Sequence, residues 1–201
     1  MILRSSPSSP FVRKVRIAVS LLGLDGRVEV READLNDPED SIRAQNPLGK
    51  IPALILDDGT VYYDSRVILE VLDHVAGGGR IIPREPTARF AALRLQALCD
   101  GILDASVLLV YEERYRPAER RVQGWVDRQA EKVARGLAAL ELAPPALSPT
   151  PDVGQIALAC VLGYRDLRFG GTWRAQHPRL LAWHDQFAAA VPAFAATKVA
   201  P

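Results

Sequence analysis

Three short stretches of this 201-residue chain carry residue types and spacings that can do chemistry. The first is Ser9-Pro10, a hydroxyl and then a proline just ahead of an apolar-periodic segment. A serine there caps a helix whose first position the proline fills. The same hydroxyl can donate to an anion such as a thiolate, which the helix dipole also favours. Ser6 and Ser8 are close enough in sequence to share the role. The second stretch is Gly49-Lys50-Ile51-Pro52. Pro52 brings no amide donor to the strand that follows, and a cis Ile51–Pro52 bond would turn the Ile51 backbone toward a ligand. The third is Asp64-Ser65, a carboxylate and a hydroxyl at the free amides of a helix N-terminus. That end attracts anions, including a ligand carboxylate. Each stretch also reads as an ordinary turn or cap.

Regular elements must hold these stretches. Ile2 to Arg4 reads as a first strand, and Phe11 to Leu22 as a helix with Phe11, Val15, Ala18 and Leu22 on its apolar face. Val28 to Arg31 is a second strand, parallel to the first through that helix. A polar stretch follows, with one short helix at Pro38 to Ala44. Ala53 to Leu56 and Thr60 to Tyr63 flank Asp57-Asp58-Gly59, a hairpin signal because glycine accepts the positive φ of a tight turn. The next helix opens at Asp64-Ser65 and carries Val67, Ile68, Val71, Leu72 and Val75 at helical spacing. The sum is a βαβαββα unit of about 75–80 residues, the size of a small α/β domain.

After Gly77-Gly78-Gly79, which reads as a flexible joint, the pattern is all helical. One helix runs from Thr87 to about Tyr115, with an inner stripe of Phe90, Leu93, Ala97, Leu98, Ile102, Ala105 and Leu109. Another starts at Pro117, with Val122, Trp125, Val126, Val133, Leu137 and Leu140. Four prolines between Ala143 and Pro151 require a loop. Asp152-Val153-Gly154-Gln155 then has the layout of a capping box. Asp100, Asp104, Tyr111 and Glu112 fall on two neighbouring faces of the long helix and read as a solvated face or a helix pair. Arg114, Arg116, Arg120 and Arg121 read as a solvated helix junction.

Composition excludes several classes. Twenty-five Lys and Arg against 24 Asp and Glu give no argument for a nucleic-acid partner. No apolar run approaches ~20 residues, so no membrane span is expected, and MILRSSPSSPF is too short in apolar residues for a secretory signal. The cytoplasm is the expected compartment. Cys99 and Cys160 sit in apolar helical patterns and read as inert core thiols, which argues against dithiol-disulfide exchange. No Cys-His cluster has metal-ligand spacing. His74, His177 and His184 are dispersed and accompany no nucleophile, which argues against a histidine triad.

NPLGKIPAL, a hairpin and then DS opening a helix resemble the glutathione transferase superfamily, and SPFVRKVRIAV resembles the first loop and helix of its serine/cysteine type. The resemblance implies a thioredoxin-like α/β domain over residues 1–79, a linker over 80–86 and an all-α bundle over 87–201. HPRLLAWHDQFAAAVPAF resembles the family's last helix and its proline-bounded end. It implies glutathione as co-substrate, no tightly bound cofactor and no metal, conjugation to a small hydrophobic electrophile, and a homodimer without membrane or nucleic acid. Residue by residue, it places Ser9 at the sulfur, where glutaredoxin-like relatives have cysteine. Lys50 then meets the glycyl carboxylate, Ile51 before Pro52 the cysteinyl backbone, and Asp64 with Ser65 the γ-glutamyl end. Phe11 and Tyr111 line the second-substrate pocket, and Asp100 or Asp104 meets the ligand's ammonium across a dimer contact. The same fold also serves non-catalytic interaction proteins and glutathione-dependent isomerases or peroxidases.

Overall fold

Strand β1 (Ile2–Ser5) is the spine of the N-terminal half. It pairs in parallel with β2 (Glu29–Glu32) and antiparallel with β3 (Ala53–Ile55), and β3 pairs antiparallel with β4 (Val61–Tyr62). The sheet order is β2-β1-β3-β4. These relationships come from a computed structural model that describes residues 1–199; Ala200 and Pro201, the end of the expected helical domain, lie outside it. β2 is an exposed edge bearing Glu29, Arg31 and Glu32. Charges on an edge strand discourage pairing with another chain.

Successive strand residues face opposite sides, so the sheet has two different faces. Leu3 and Leu54 join Val15 and Ala18 of α1 (Pro10–Leu21) and Ile68, Leu69 and Leu72 of α3 (Ser65–Val75) in the main core. Ala53 points the other way and packs with Ala33 and with Ile42 of α2 (Ile42–Gln45). On that side Arg4 is buried but well partnered, donating to Asp40, Ser41 and Gln45 and to the Glu32 carbonyl. Buried charges persist when they are paired in this way. The hairpin forms as expected, with Gly59 at φ 86° and Asp58 accepting from the Thr60 amide.

The triple glycine is a pinned turn rather than a flexible joint. The Asp73 carboxylate accepts from the amides of Gly79, Arg80 and Ile81, and Ile81 and Ile82 are buried. Helices α4 (Pro86–Tyr115), α5 (Gln123–Leu142), α6 (Val153–Phe169), α7 (Trp173–Gln176), α8 (Pro178–Ala190) and α9 (Pro192–Ala196) follow. The architecture is thus a thioredoxin-like α/β sheet layer followed by a helical bundle. α6 is the bundle's core helix, with eleven of its residues buried. The Asp152/Gln155 capping box closes its N-terminus.

Four details depart from the sequence reading. The buried residues of α4 are Ala92, Gln96, Cys99, Asp100, Ile102, Leu103, Ala105, Ser106 and Glu112, so Ile102 and Ala105 of the expected stripe lie inside, while Phe90 and Leu98 face outward at 67% and 40% exposure. Polar residues such as Gln96 and Asp100 occupy part of the inward face, so apolar periodicity alone misplaces part of the stripe. Val67 of α3 also points outward. Pro117 precedes a 3-10 turn (Ala118–Arg120), and α5 begins only at Gln123, leaving Val122 exposed. The last helix is two, because Pro192 cannot continue α8 and instead opens α9.

Candidate functional site

Strand register brings the three sequence stretches to one end of the sheet. β1 runs into the loop that carries Ser9. Arg4 near its end is paired with Ala53, the residue after Pro52. β4 runs antiparallel to β3, with Tyr62 opposite Leu54, so it delivers Asp64 and Ser65 to that same end.

Ser9 is the N-cap of α1. Its Oγ accepts from the Val12 amide at 3.3 Å, and Pro10 holds the first helical position. The Ser9 amide donates to the Ser6 carbonyl, which makes Ser6 part of the turn. Ser8 and Ser9 both border a cavity of about 330 Å³ between the first loop, α6 and α9. Pro10, Tyr164, Leu167 and Phe194 supply much of its wall.

The proline loop owes its shape to Asn46, which sequence reasoning passed over. Its side chain donates to the Lys50 carbonyl at 2.9 Å and accepts from the Leu48 amide at 3.0 Å. Asn46 is only 2% exposed, so these bonds are shielded from water. An asparagine opening a Pro-Leu-Gly turn was the available signal. The Ile51–Pro52 bond is cis, and Lys50 is exposed beside it.

Asp64 caps α3 and accepts from the Arg66 amide at 3.0 Å, while Ser65 is buried beneath it. Arg66 also pairs with the Asp64 carboxylate at 2.7 Å. Burial works against the Asp64 anion, but the Arg66 side chain and amide and the charges of Arg66 and Lys14 outweigh it. The carboxyl is held below its ordinary value.

α4 forms the facing wall. Asp100 and Glu112 are buried, not solvated, at 4% and 6% exposure. Lys14 of α1 is wholly buried and donates to Asp100 at 2.6 Å, and Arg66 stands 3.9 Å from the other Asp100 oxygen. Burial raises the carboxyl of Asp100 despite these cations, and burial with the Asp100 charge raises Asp104. Sequence reasoning missed Lys14 and Arg66. Their partners lie 86 and 34 residues away in the chain, beyond any local signal.

The two aromatic candidates are set apart from the cavity beside Ser9. Phe11 is half-buried, with the Lys14 ammonium 5.8 Å from its ring centre. Tyr111 is 42% exposed and packs edge-on to Tyr115. Neither borders that cavity. Trp173 is buried and donates to Asp166. The arginine junction at Arg114, Arg116, Arg120 and Arg121 is exposed, and Arg116 pairs with Glu112.

Cys99 and Cys160 are buried free thiols. Burial pushes both up, Cys160 to about 12, so neither offers a thiolate. Among the described residues no His, Cys, Asp and Glu group could hold a metal, and no helix is long and apolar enough to cross a membrane.

Residues 3–80 match the family model for the glutathione S-transferase N-terminal domain, and residues 123–186 that for the C-terminal domain. The uncharacterised GST-like protein YibF of Escherichia coli K12 is 33% identical over 185 residues, 90% of each chain. A glutathione transferase family member from Pseudomonas fluorescens Pf-5, solved with bound glutathione, superposes with a TM-score of 0.92 at 42% identity. That match covers 100% of this chain and 99% of the other. A glutathione S-transferase from Methylobacillus flagellatus KT with glutathione bound superposes at 0.91, with 36% identity and 99% of each chain covered.

Proposed function

Because this chain belongs to the glutathione S-transferase superfamily, we propose that it joins the glutathione thiolate to a small hydrophobic electrophile. The observation that carries the reading is the convergence of the Ser9 loop, the Ile51–Pro52 loop and the α3 N-terminus on one end of the sheet. The glutathione bound in the two structural relatives supports the choice of thiol.

In this reading the tripeptide lies across that end. Lys50 meets the glycyl carboxylate. The Ile51 backbone, exposed by the turn before Pro52, pairs with the cysteinyl backbone as an added strand. Asp64 accepts from the γ-glutamyl ammonium, and Ser65 with the α3 amides holds its carboxylate. The depressed carboxyl of Asp64 keeps that acceptor ionised at neutral pH.

Ser9 then acts on the sulfur. A free thiol has a pKa near ~8.5, so only a few per cent is thiolate at neutral pH. Lowering it by about two units requires roughly 2.7 kcal/mol of preferential stabilisation of the anion. A charge-assisted hydrogen bond of ~1.5–3 kcal/mol, aided by the α1 dipole, is of that size. The thiol proton passes to water and the thiolate forms a carbon–sulfur bond. In a substitution the carbon–leaving-group bond breaks and the group departs with its electron pair. In an addition the resulting carbanion takes a proton from water. Phe11 and Tyr111 offer aromatic surface to the electrophile.

The protein acts as a homodimer in this reading. Exposed Val67 and Phe90 flank, in sequence, the Glu70–Arg89 ion pair that ties α3 to α4, and they give the contact its apolar content.

Calorimetric titration with glutathione tests the proposal, followed by turnover on a panel of electrophiles, hydroperoxides and cis-dienoic acids. Saturable binding with turnover of electrophiles alone is the expected result. Absence of heat and of any thermal shift would leave only a non-catalytic scaffold.

A further inference from the structure

The cavity beside Ser9 holds more positive charge than the fold neutralises. Its ionisable lining includes Arg13, Arg174, Lys198, His184 and Asp166. Burial lowers the His184 imidazole, which is therefore uncharged near neutral pH. Asp166 is the one carboxylate among the described lining residues, and it is already engaged. Its Oδ1 accepts from Trp173 and Arg174 at 2.9 Å, and its Oδ2 accepts from Arg174 at 2.6 Å. Among the described residues Arg13 and Lys198 have no acidic partner, and both border the cavity.

Three contacts fix Arg13 and leave one nitrogen over. The half-buried guanidinium lies over Phe194, 4.1 Å from the ring centre. Nη2 donates to the Phe194 carbonyl at 2.6 Å and Nε to Thr197 Oγ1 at 3.3 Å. Nη1 lies against Gly163, a residue of the cavity wall where no Cβ would fit, and donates to nothing among the described residues. Arg13 stands one turn along α1 from Ser9, its amide bonded to the Ser9 carbonyl at 3.0 Å. Side chains four apart on a helix share a face, with Cβ atoms about 5–6 Å apart. A hydroxyl for the sulfur and a fixed guanidinium thus border one cavity of about 330 Å³.

We propose that the second substrate is a short carboxylic acid bearing a displaceable group, its carboxylate on Arg13 and its reactive carbon beside Ser9. The planar fork of arginine suits a carboxylate in particular. Lys198, exposed where it borders the cavity, adds a second positive charge. This inference rests on the conjugation proposed above and narrows its electrophile to one that carries an anion. The thiol gives its proton to water, the carbon–sulfur bond forms, and the leaving group departs with the electron pair of its broken bond. Thiolate and carboxylate repel each other during the approach, and the guanidinium offsets that repulsion.

Initial rates with chloroacetate and with its uncharged counterpart chloroacetamide test this at saturating glutathione, each corrected for the rate without protein. The acid is expected to show at least a tenfold higher kcat/KM than the amide. Calorimetry adds a readout that needs no turnover, because the conjugates S-carboxymethylglutathione and S-carbamoylmethylglutathione differ only at that carboxylate. The acid conjugate should bind the natural protein at least tenfold more tightly. Arg13→Gln should abolish both preferences, and Arg13→Lys, which keeps the charge, should restore part of them. Glutathione titration of each variant reports whether it is folded, and the two comparisons on the natural protein decide the matter where a variant is not. Parity of acid and amide in either comparison, or a preference that survives in folded Arg13→Gln, would overturn the site while glutathione binding stands. Tighter binding of the acid conjugate without turnover of either electrophile would keep the carboxylate site and remove the conjugation. Failure to bind glutathione or either conjugate would remove both.

Discussion

Lys14 and Asp100 meet across the boundary between the sheet layer and the helical bundle, ammonium to carboxylate at 2.6 Å, with the lysine wholly enclosed. One comes from the helix that Ser9 caps and the other from the middle of α4. The pair therefore fixes the crevice wall relative to the proposed sulfur position. Desolvating two charges is costly, and removing one leaves the other buried and unmatched. Lys14→Met or Asp100→Leu alone is expected to destabilise by about 3–5 kcal/mol, whereas the double substitution should recover most of the loss. Denaturant unfolding of all four proteins measures the coupling.

Ser9 has two duties that one substitution separates. As the cap of α1 it accepts from Val12, so Ser9→Ala should cost about 1 kcal/mol in stability. As the proposed donor to sulfur it should matter for turnover but little for glutathione affinity. Thiolate absorbance of the bound tripeptide, titrated against pH, is expected to shift upward in Ser9→Ala. An unchanged titration and unchanged turnover with a model electrophile would remove Ser9 from the chemistry.

Two glycines of α6 admit neighbours of different stiffness. A Cβ at Gly154 would lie 2.7 Å from the Ala92 carbonyl oxygen and 2.8 Å from Leu95 Cβ, and neither backbone can retreat cheaply. A Cβ at Gly163 would run into Arg13 Nη1, the end of a flexible side chain. That arginine donates to the Phe194 carbonyl at 2.6 Å and holds α9 against α1. Gly154→Ala is expected to cost at the upper end of ~1–3 kcal/mol. Gly163→Ala should cost less globally and should instead loosen α9, seen as faster amide exchange in Pro192–Ala196.

Glu85 caps the thirty-residue helix α4, accepting from the amides of Ala88 and Thr87 at 2.7 and 2.8 Å. Those amides hold its carboxyl below the ordinary value of 4.5. The sign follows directly. The unfolded chain binds the proton more readily, so the contribution is complete above the ordinary value and disappears as pH falls through the lowered one. The stability difference between the natural protein and Glu85→Gln should be constant near neutrality and close in acid. Unfolding curves at several pH values check it.

Local signals carried much of this molecule. Period-two and period-3.6 apolar patterns, Asp-Gly at the hairpin, Ser-Pro at α1 and the Asp152/Gln155 box each concern residues within one or two turns of one another. Such features depend on backbone geometry that the nearby side chains dictate. The sheet layer, the bundle and the α6 cap were legible for that reason. The same logic exposes the failures: Pro117 marked a helix start that a 3-10 turn postponed, and the expected α4 stripe, right at Ile102 and Ala105, also took in Phe90 and Leu98, which face outward.

By itself, then, the order of residues determined which elements form, most of the turns that join them and which three loops carry polar chemistry. Tertiary structure alone decided what those loops face. Whether Asp100 is solvated or locked to Lys14, and whether Arg66 reaches the same carboxylate, depend on side chains far apart in the chain. Burial and charge pairing are properties of the folded neighbourhood. A carboxylate reads the same in sequence whether it meets water or a lysine, and only packing supplies the difference in solvation that gives it a role.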